Sequence, residues 1–315
     1  MKKNNLIQLI ILFILGAAVL FSLLLPQLPH INNAKEIIQI SMILRESDNS
    51  LWSNTRLGLE QASNELDAEL RFLSLSKTDD FNEQIELVKR EIDGGADAII
   101  IVPVNPDKFS QWLETQKNTC PIICIESKIQ NANLTISPDC ELLGTELAEA
   151  ARSQWQGNTI CLIDNSGSRT GITTRIDAAE KALTEYNIPV KRLILSDNQI
   201  LTNLPSLLLQ NNSSTVIAFE PYSTELAARC KEDNKLDFKL YGTGVSTYIA
   251  SSMERGTINA IAAWSDYAVG YLAAQNAISL SRNKKATFDS LPFRIIYWED
   301  MYETENEKLL FPVIS

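Results

Sequence analysis

Short apolar runs rich in isoleucine, valine and leucine alternate with amphipathic segments from residue 37 almost to the end of the chain. This alternation constrains the fold more than any other feature. The first unit reads IIQISMIL, then RESDNS, then LWSNTRLG. Ile37, Ile38, Ile40, Met42, Ile43 and Leu44 make a nearly continuous apolar run, as expected of a parallel strand covered on both faces. Asp48, Asn49 and Ser50 are helix N-cap residue types, and an amphipathic segment with Trp52 at its start follows. In an open α/β sheet, ligands bind past the carboxyl end of a strand and beside a helix N-terminus.

The same unit recurs. Strands are predicted at 69–75, 96–104, 121–125, 134–137, 159–163, 190–195, 214–219, 238–241, 258–263 and 292–298, with amphipathic helices between them. Asp79 and Asp80 can cap the helix over 81–92, Asp107 begins the next, and Asp139 opens a long one over 142–155. The acidic tail from Glu299 carries no assigned element. Alternating strands and helices define an α/β fold with mostly parallel sheets. About ten strands is too many for one small sheet and natural for two. The break between them is expected near 137–140.

Composition removes several function classes. The chain has 315 residues and a formal net charge of -11, and residues 1–35 hold three lysines and no acid. So acidic a remainder argues against nucleic acid as the main partner and would repel anionic lipid. The only histidine is His30, so the globular part has no Ser-His-Asp or Cys-His device and lacks the commonest metal ligand. Five cysteines form no CxxC pair, and Cys124 and Cys161 sit inside apolar runs as small buried hydrophobes. The loop 165–171 lacks both GxGxxG and a P-loop lysine, so no nucleotide cofactor is expected. No metal site, cofactor or catalytic group is expected.

Lys2 and Lys3 precede an apolar run over residues 6–25 that is broken only by Gln8 and Ser22. About 20 residues at 1.5 Å each span roughly 30 Å, the thickness of a bilayer core. No good cleavage site follows, and no cysteine is placed for lipid anchoring. Residues 1–35 are therefore expected to be an uncleaved signal anchor and linker. The lysines keep the N-terminus in the cytoplasm and the large part outside.

Several segments, in order, resemble one family. Asp48-Asn49-Ser50-Leu51-Trp52 with Gly58 is similar to the asparagine–proline–aromatic–aromatic opening of periplasmic sugar-binding proteins of the ribose and galactose type. Gly95 to Ile100 with Pro103 resembles their glycine–any–aspartate segment. Pro121-Ile122-Ile123 ending at Glu126 resembles their strand closing on aspartate–arginine. Arg175 is similar to their ligand arginine, and Met253, Glu254, Gly256, Asp266 and Gly270 complete the order over about residues 36–300. The ligand domains of repressors related to the lactose repressor share this domain but carry a DNA-binding helix pair where this chain has its apolar segment.

The resemblance implies a type I periplasmic binding protein: two Rossmann-like lobes with parallel sheets, joined by three crossovers and closing on a ligand by a hinge. The lobes implied are 36–138 plus 266–291, and 139–265 plus 292–315. It also implies roles for six residues. Trp52 would stack on a sugar face, or be an ordinary core tryptophan. Asn49 would bind a hydroxyl, or cap its helix. Glu126 would accept hydroxyl hydrogen bonds, or be a solvated strand end. Arg175 would present its five-donor fork to vicinal hydroxyls or a carboxylate, or lie on a helix surface. Trp264 would stack on the ligand or pack the hinge, and Tyr222 would line the second lobe. Arg45, in the first loop, reads as surface or hinge. Two departures, Pro221 and Thr243-Gly244, remove hydroxyl-binding groups from the second lobe.

The implied function is a membrane-tethered extracytoplasmic binding protein for a small ligand, a monosaccharide by resemblance. It would deliver that ligand to an ABC transporter permease. The alternative is a ligand-sensing input for a membrane histidine kinase, which the uncleaved anchor suits.

Overall fold

The computed structural model describes residues 12–17, 19, 37–116 and 120–311. The chain divides into two units, 1–37 and 38–315; the second holds both sheets. The expected membrane span over 6–25 lies largely outside the described residues, and the linker lies wholly outside them. Among the described residues no helix is long and apolar enough to cross a membrane.

Among the described residues eleven strands form two sheets. The first has the order β2-β1-β3-β4-β5, made of Ile38–Ile43 (β1), Ala68–Leu73 (β2), Ala98–Ile101 (β3), Ile122–Ile125 (β4) and Leu134–Ile136 (β5), all parallel. The second has the order β11-β10-β9-β8-β6-β7. Its members are Thr159–Asp164 (β6), Val190–Ile194 (β7), Ser213–Ala218 (β8), Lys239–Thr243 (β9), Ala260–Trp264 (β10) and Phe293–Tyr297 (β11). Only β11 runs antiparallel, against β10. The central strands are buried on both faces; Ala98, Ile99, Ile100 and Ile101 are all fully buried. This is why they read as unbroken apolar runs.

The chain passes from the first sheet to the second after β5. It leaves β10 for the helix Asp266–Ser281, which packs against Ser53–Glu65 beside the first sheet, and then returns to β11. Those two helices meet at glycines: a Cβ on Gly58 would lie 2.0 Å from the Tyr267 carbonyl oxygen, and one on Gly270 would lie 1.8 Å from that of Thr55. Two crossing segments pair with each other, through a bridge between Pro138 and Leu291 and a 3.2 Å bond from the Leu291 N–H to the Ser137 carbonyl.

The caps are part as expected and part not. Asp80 accepts from the N–H groups of Asn82 and Glu83 at the head of Phe81–Asp93, and Asp139 accepts from that of Leu142 at the head of Cys140–Ser153. The helix over 53–65 has no such cap. Asp48 instead accepts from the Ser50 N–H at 2.9 Å, and Ser50–Trp52 forms a 3-10 turn ahead of the helix, with Trp52 at the cap position and no side-chain bond. Asp79 adopts φ +65° and pairs with Arg45 rather than capping. The acidic tail is ordered: Thr304–Leu310 is a helix that buries Leu310 against the second sheet. All five cysteines are free, and burial pushes the Cys124 thiol up to about 12.

The buried amide of Gln84 ties together the strand ends that lead to the site. Its Nε2 donates to the carbonyls of Leu44 (3.1 Å) and Val102 (2.9 Å), just past β1 and β3, and its Oε1 accepts from the Val104 N–H at 2.9 Å.

Candidate functional site

The loops at the carboxyl ends of both sheets enclose a cavity of about 580 Å³. Arg45, Glu46 and residues 50–55 come from the loop after β1. Glu126 follows β4, Arg169 and Arg175 follow β6, Glu220 to Tyr222 follow β8, and Trp264 and Asp266 end or follow β10. This is where the strand dipoles end and helix N-termini begin, the position the topology favours for a ligand.

Arg175 is the pivot. Although it lies on the helix Thr170–Glu185, it is only 1% exposed. Its Nη1 donates to the Phe219 carbonyl at 3.1 Å and lies 3.7 Å from Glu126 Oε1. Its guanidinium carbon stands 5.1 Å from the centroid of the Trp264 ring, within cation–π range. Its Nε has no protein partner. An unmade buried hydrogen bond costs about 1–3 kcal/mol.

Glu126 is held in an uncommon backbone conformation. Its φ is +68°, and the Ser127 N–H reaches back to the Ile125 carbonyl at 2.8 Å, which makes a γ-turn centred on Glu126. Left-handed geometry at a residue with a side chain costs roughly 1–2 kcal/mol, and such outliers cluster at functional sites. The turn aims the strand end toward the other lobe. Gly171 packs there so closely that a Cβ would lie 2.4 Å from the Glu126 carbonyl oxygen, and the Ser168 hydroxyl donates to the Val104 carbonyl at 2.6 Å.

Trp52 is half-buried, and its indole N–H donates to Glu46 Oε2 at 3.0 Å. Glu46 in turn lies 3.6 Å from Arg45 Nε. Burial pushes the Glu46 carboxyl up to about 7, opposed by Arg45 and helped by Glu126. Burial also pushes Asp266 up to about 7, against a hydrogen bond from Trp264.

Trp52, Glu126, Arg175, Tyr222 and Trp264 thus all line one cavity, with Tyr222 40% exposed and Trp264 8%. Asn49 does not line it. Asn49 is exposed and precedes the 3-10 turn without a capping bond from its side chain. Arg175 is not on a helix surface, and Arg45 faces the cavity while its fork holds Asp79. Sequence reasoning did not nominate Glu46, Asp266, the Arg169–Glu220 pair or the tail residues Leu310 and Phe311, all of which line the cavity. For Glu46 and Asp266 a signal was present: each follows an apolar strand end closely, the same pattern that singled out Glu126.

The family model for the periplasmic binding protein domain matches residues 40–285, and the chain belongs to that family. It is accordingly a binding protein and not an enzyme. No curated protein matches it by sequence. Among solved structures, a carbohydrate transporter solute-binding protein from Agrobacterium radiobacter in complex with D-arabinose aligns with a TM-score of 0.77 at 16% identity, covering 87% of this chain and 99% of its own. An ABC transporter solute-binding protein from Agrobacterium vitis with bound D-fucose gives 0.77 at 14% identity, covering 87% and 100%. The chain in the XylFII-LytSN complex gives 0.71 at 17% identity, covering 84% and 99%. At these identities the likeness is one of fold.

Proposed function

We propose that this chain is an extracytoplasmic solute-binding protein that holds a monosaccharide in the cleft between its lobes and presents it to an ABC transporter permease. The observation that carries the reading is the Arg175 guanidinium, buried between Trp264 and Glu126 with a donor unmet. A sugar offers an apolar C–H face for aromatic rings and hydroxyls that accept from a guanidinium and donate to a carboxylate. Trp52 and Tyr222 supply further aromatic surface in the same cavity. Solved relatives of the same fold hold D-arabinose and D-fucose, which supports the sugar class.

In this reading the lobes are 36–138 plus 266–291 and 139–265 plus 292–315. Asn49 lies outside the ligand's first contacts. The apolar run over residues 6–25 tethers the protein as a single-pass anchor, with the binding domain outside the cell membrane. A second reading keeps the ligand and changes the partner: the liganded domain signals to a membrane histidine kinase. The likeness to XylFII, seen in complex with LytSN, favours keeping it.

A thermal-shift screen of monosaccharides on residues 36–315 tests the ligand class. A sugar at 100 times its dissociation constant adds about 2.7 kcal/mol, and the shift is lost in Trp52→Ala. If no sugar moves the transition, the reading fails. Neighbouring genes separate the partners: permease and ATPase genes indicate uptake, kinase and regulator genes sensing.

A further inference from the structure

The charges around the cavity do not balance. Three arginines line it. Arg45 gives its fork to Asp79, with bonds of 2.8 and 2.9 Å. Arg169 is taken by Glu220 at 2.6 Å and by the carbonyls of Ser166 and Asn165. Arg175 faces Glu126 at 3.7 Å. Glu225, also on the wall, is met by the Ser246 hydroxyl at 2.6 Å and by Arg229 at 3.9 Å.

Two carboxyls have no cation of their own. Glu46 accepts from the Trp52 indole and shares Arg45, 3.6 Å away, with Asp79, which holds the fork. Asp266 opens its helix half-buried and makes no ion pair among the described residues. Burial raises both carboxyls to about 7 despite the contacts from Arg45, Trp52 and Trp264, so a cation placed beside them would favour their charged forms. Burying a carboxylate without a partner is costly, and an ion pair in a partly desolvated site is worth more than one in water. Among the described residues no group of three or more His, Cys, Asp or Glu is arranged to hold a metal ion; an ammonium group needs no such ligand set, since its three donors can be met by two carboxylates.

We propose that the ligand of this cavity is a monosaccharide carrying a protonated amine, an amino sugar, whose ammonium group is met by Glu46 and Asp266 while its hydroxyls meet Arg175 and Glu126. This deepens the sugar reading above and rests on it.

The test is calorimetric titration of the full chain at pH 7.5 with four matched ligands in the galacto and gluco series: the 2-amino sugar, the neutral hexose, the N-acetylated amino sugar and the uronate. The expected result is at least tenfold tighter binding of the amine than of the neutral hexose, with N-acetylation removing the gain. The ratio of amine to neutral affinity falls at least fivefold in Glu46→Gln and in Asp266→Asn. Either variant suffices if the other does not fold. Equal or tighter binding of the neutral hexose, or a preference for the uronate, overturns the charge assignment and leaves the sugar reading standing. Binding of none of the eight compounds overturns both.

Discussion

The guanidinium of Arg175 lies 5.1 Å from the centre of the Trp264 ring, and its Nη1 lies 3.7 Å from Glu126 Oε1. Arg175 belongs to the second sheet's side of the cleft and Glu126 to the first, while Trp264 stands where the chain crosses between them. Arg175→Ala should therefore cost both stability and binding. It removes the cation–π contact, leaves the Phe219 carbonyl without its donor and takes the nearby cation from the Glu126 carboxylate, a loss of about 2–4 kcal/mol. Urea unfolding measures the stability loss. Titration well below the transition temperature measures the binding loss, expected to exceed tenfold.

Glu126 allows a cleaner separation of backbone from side chain. Glu126→Gly and Glu126→Ala both delete the carboxylate, so both should weaken ligand binding alike. At most positions alanine is the more stable of the two. At φ +68° the order should reverse, with the glycine variant more stable by about 1 kcal/mol, because only glycine takes the left-handed region without strain. Denaturant midpoints of the two variants decide it; alanine more stable than glycine would contradict the γ-turn.

Glu46 should make the ligand-free protein sensitive to pH near neutrality. Burial raises its carboxyl from the ordinary 4.5 to about 7, opposed by Arg45 and reinforced by Glu126. A group with a raised value binds its proton more tightly folded than unfolded. Its stabilising contribution is thus full below about pH 4.5 and lost as pH rises through about 7, a change of about 3 kcal/mol. Glu46→Gln, which can still accept from Trp52, should be more stable than the parent at pH 8 by about 2–3 kcal/mol. It should be nearly equal to the parent at pH 4. Thermal melts across that range check both sign and window. Asp266→Asn should behave in the same direction.

Gln84 is a scaffold test away from the ligand. Gln84→Leu keeps the volume but strands two carbonyls and one N–H at the ends of β1 and β3. We expect a loss of about 3 kcal/mol in urea unfolding.

Much of this was legible from residue order. The central strands read correctly because their apolar runs, as in β3 and β4, are buried on both faces, and Asp80 and Asp139 sit where they cap. Asp48, Asn49 and Ser50 are cap types too, yet their loop folds into an Asp48-to-Ser50 turn and a 3-10 turn, so cap chemistry alone misplaced the helix start. The terminal helix Thr304–Leu310 escaped because only Asn306 and Leu310 of its seven residues are buried, too short a stripe to show periodicity. Glu46 and Asp266 share the strand-end placement of Glu126, but a carboxyl beyond a strand end is common in sequence and did not by itself mark them. Only the fold shows that both open onto one cavity where the arginines are already engaged.

The measurement closest to the central claim is calorimetric titration of a sugar found in the screen into the parent chain, Trp52→Ala, and a control, Tyr186→Ala, whose ring lies on the surface away from the cavity. The account predicts one site per chain, at least tenfold weaker binding in Trp52→Ala, and unchanged binding in the control. Saturable binding that is the same in all three proteins would contradict it.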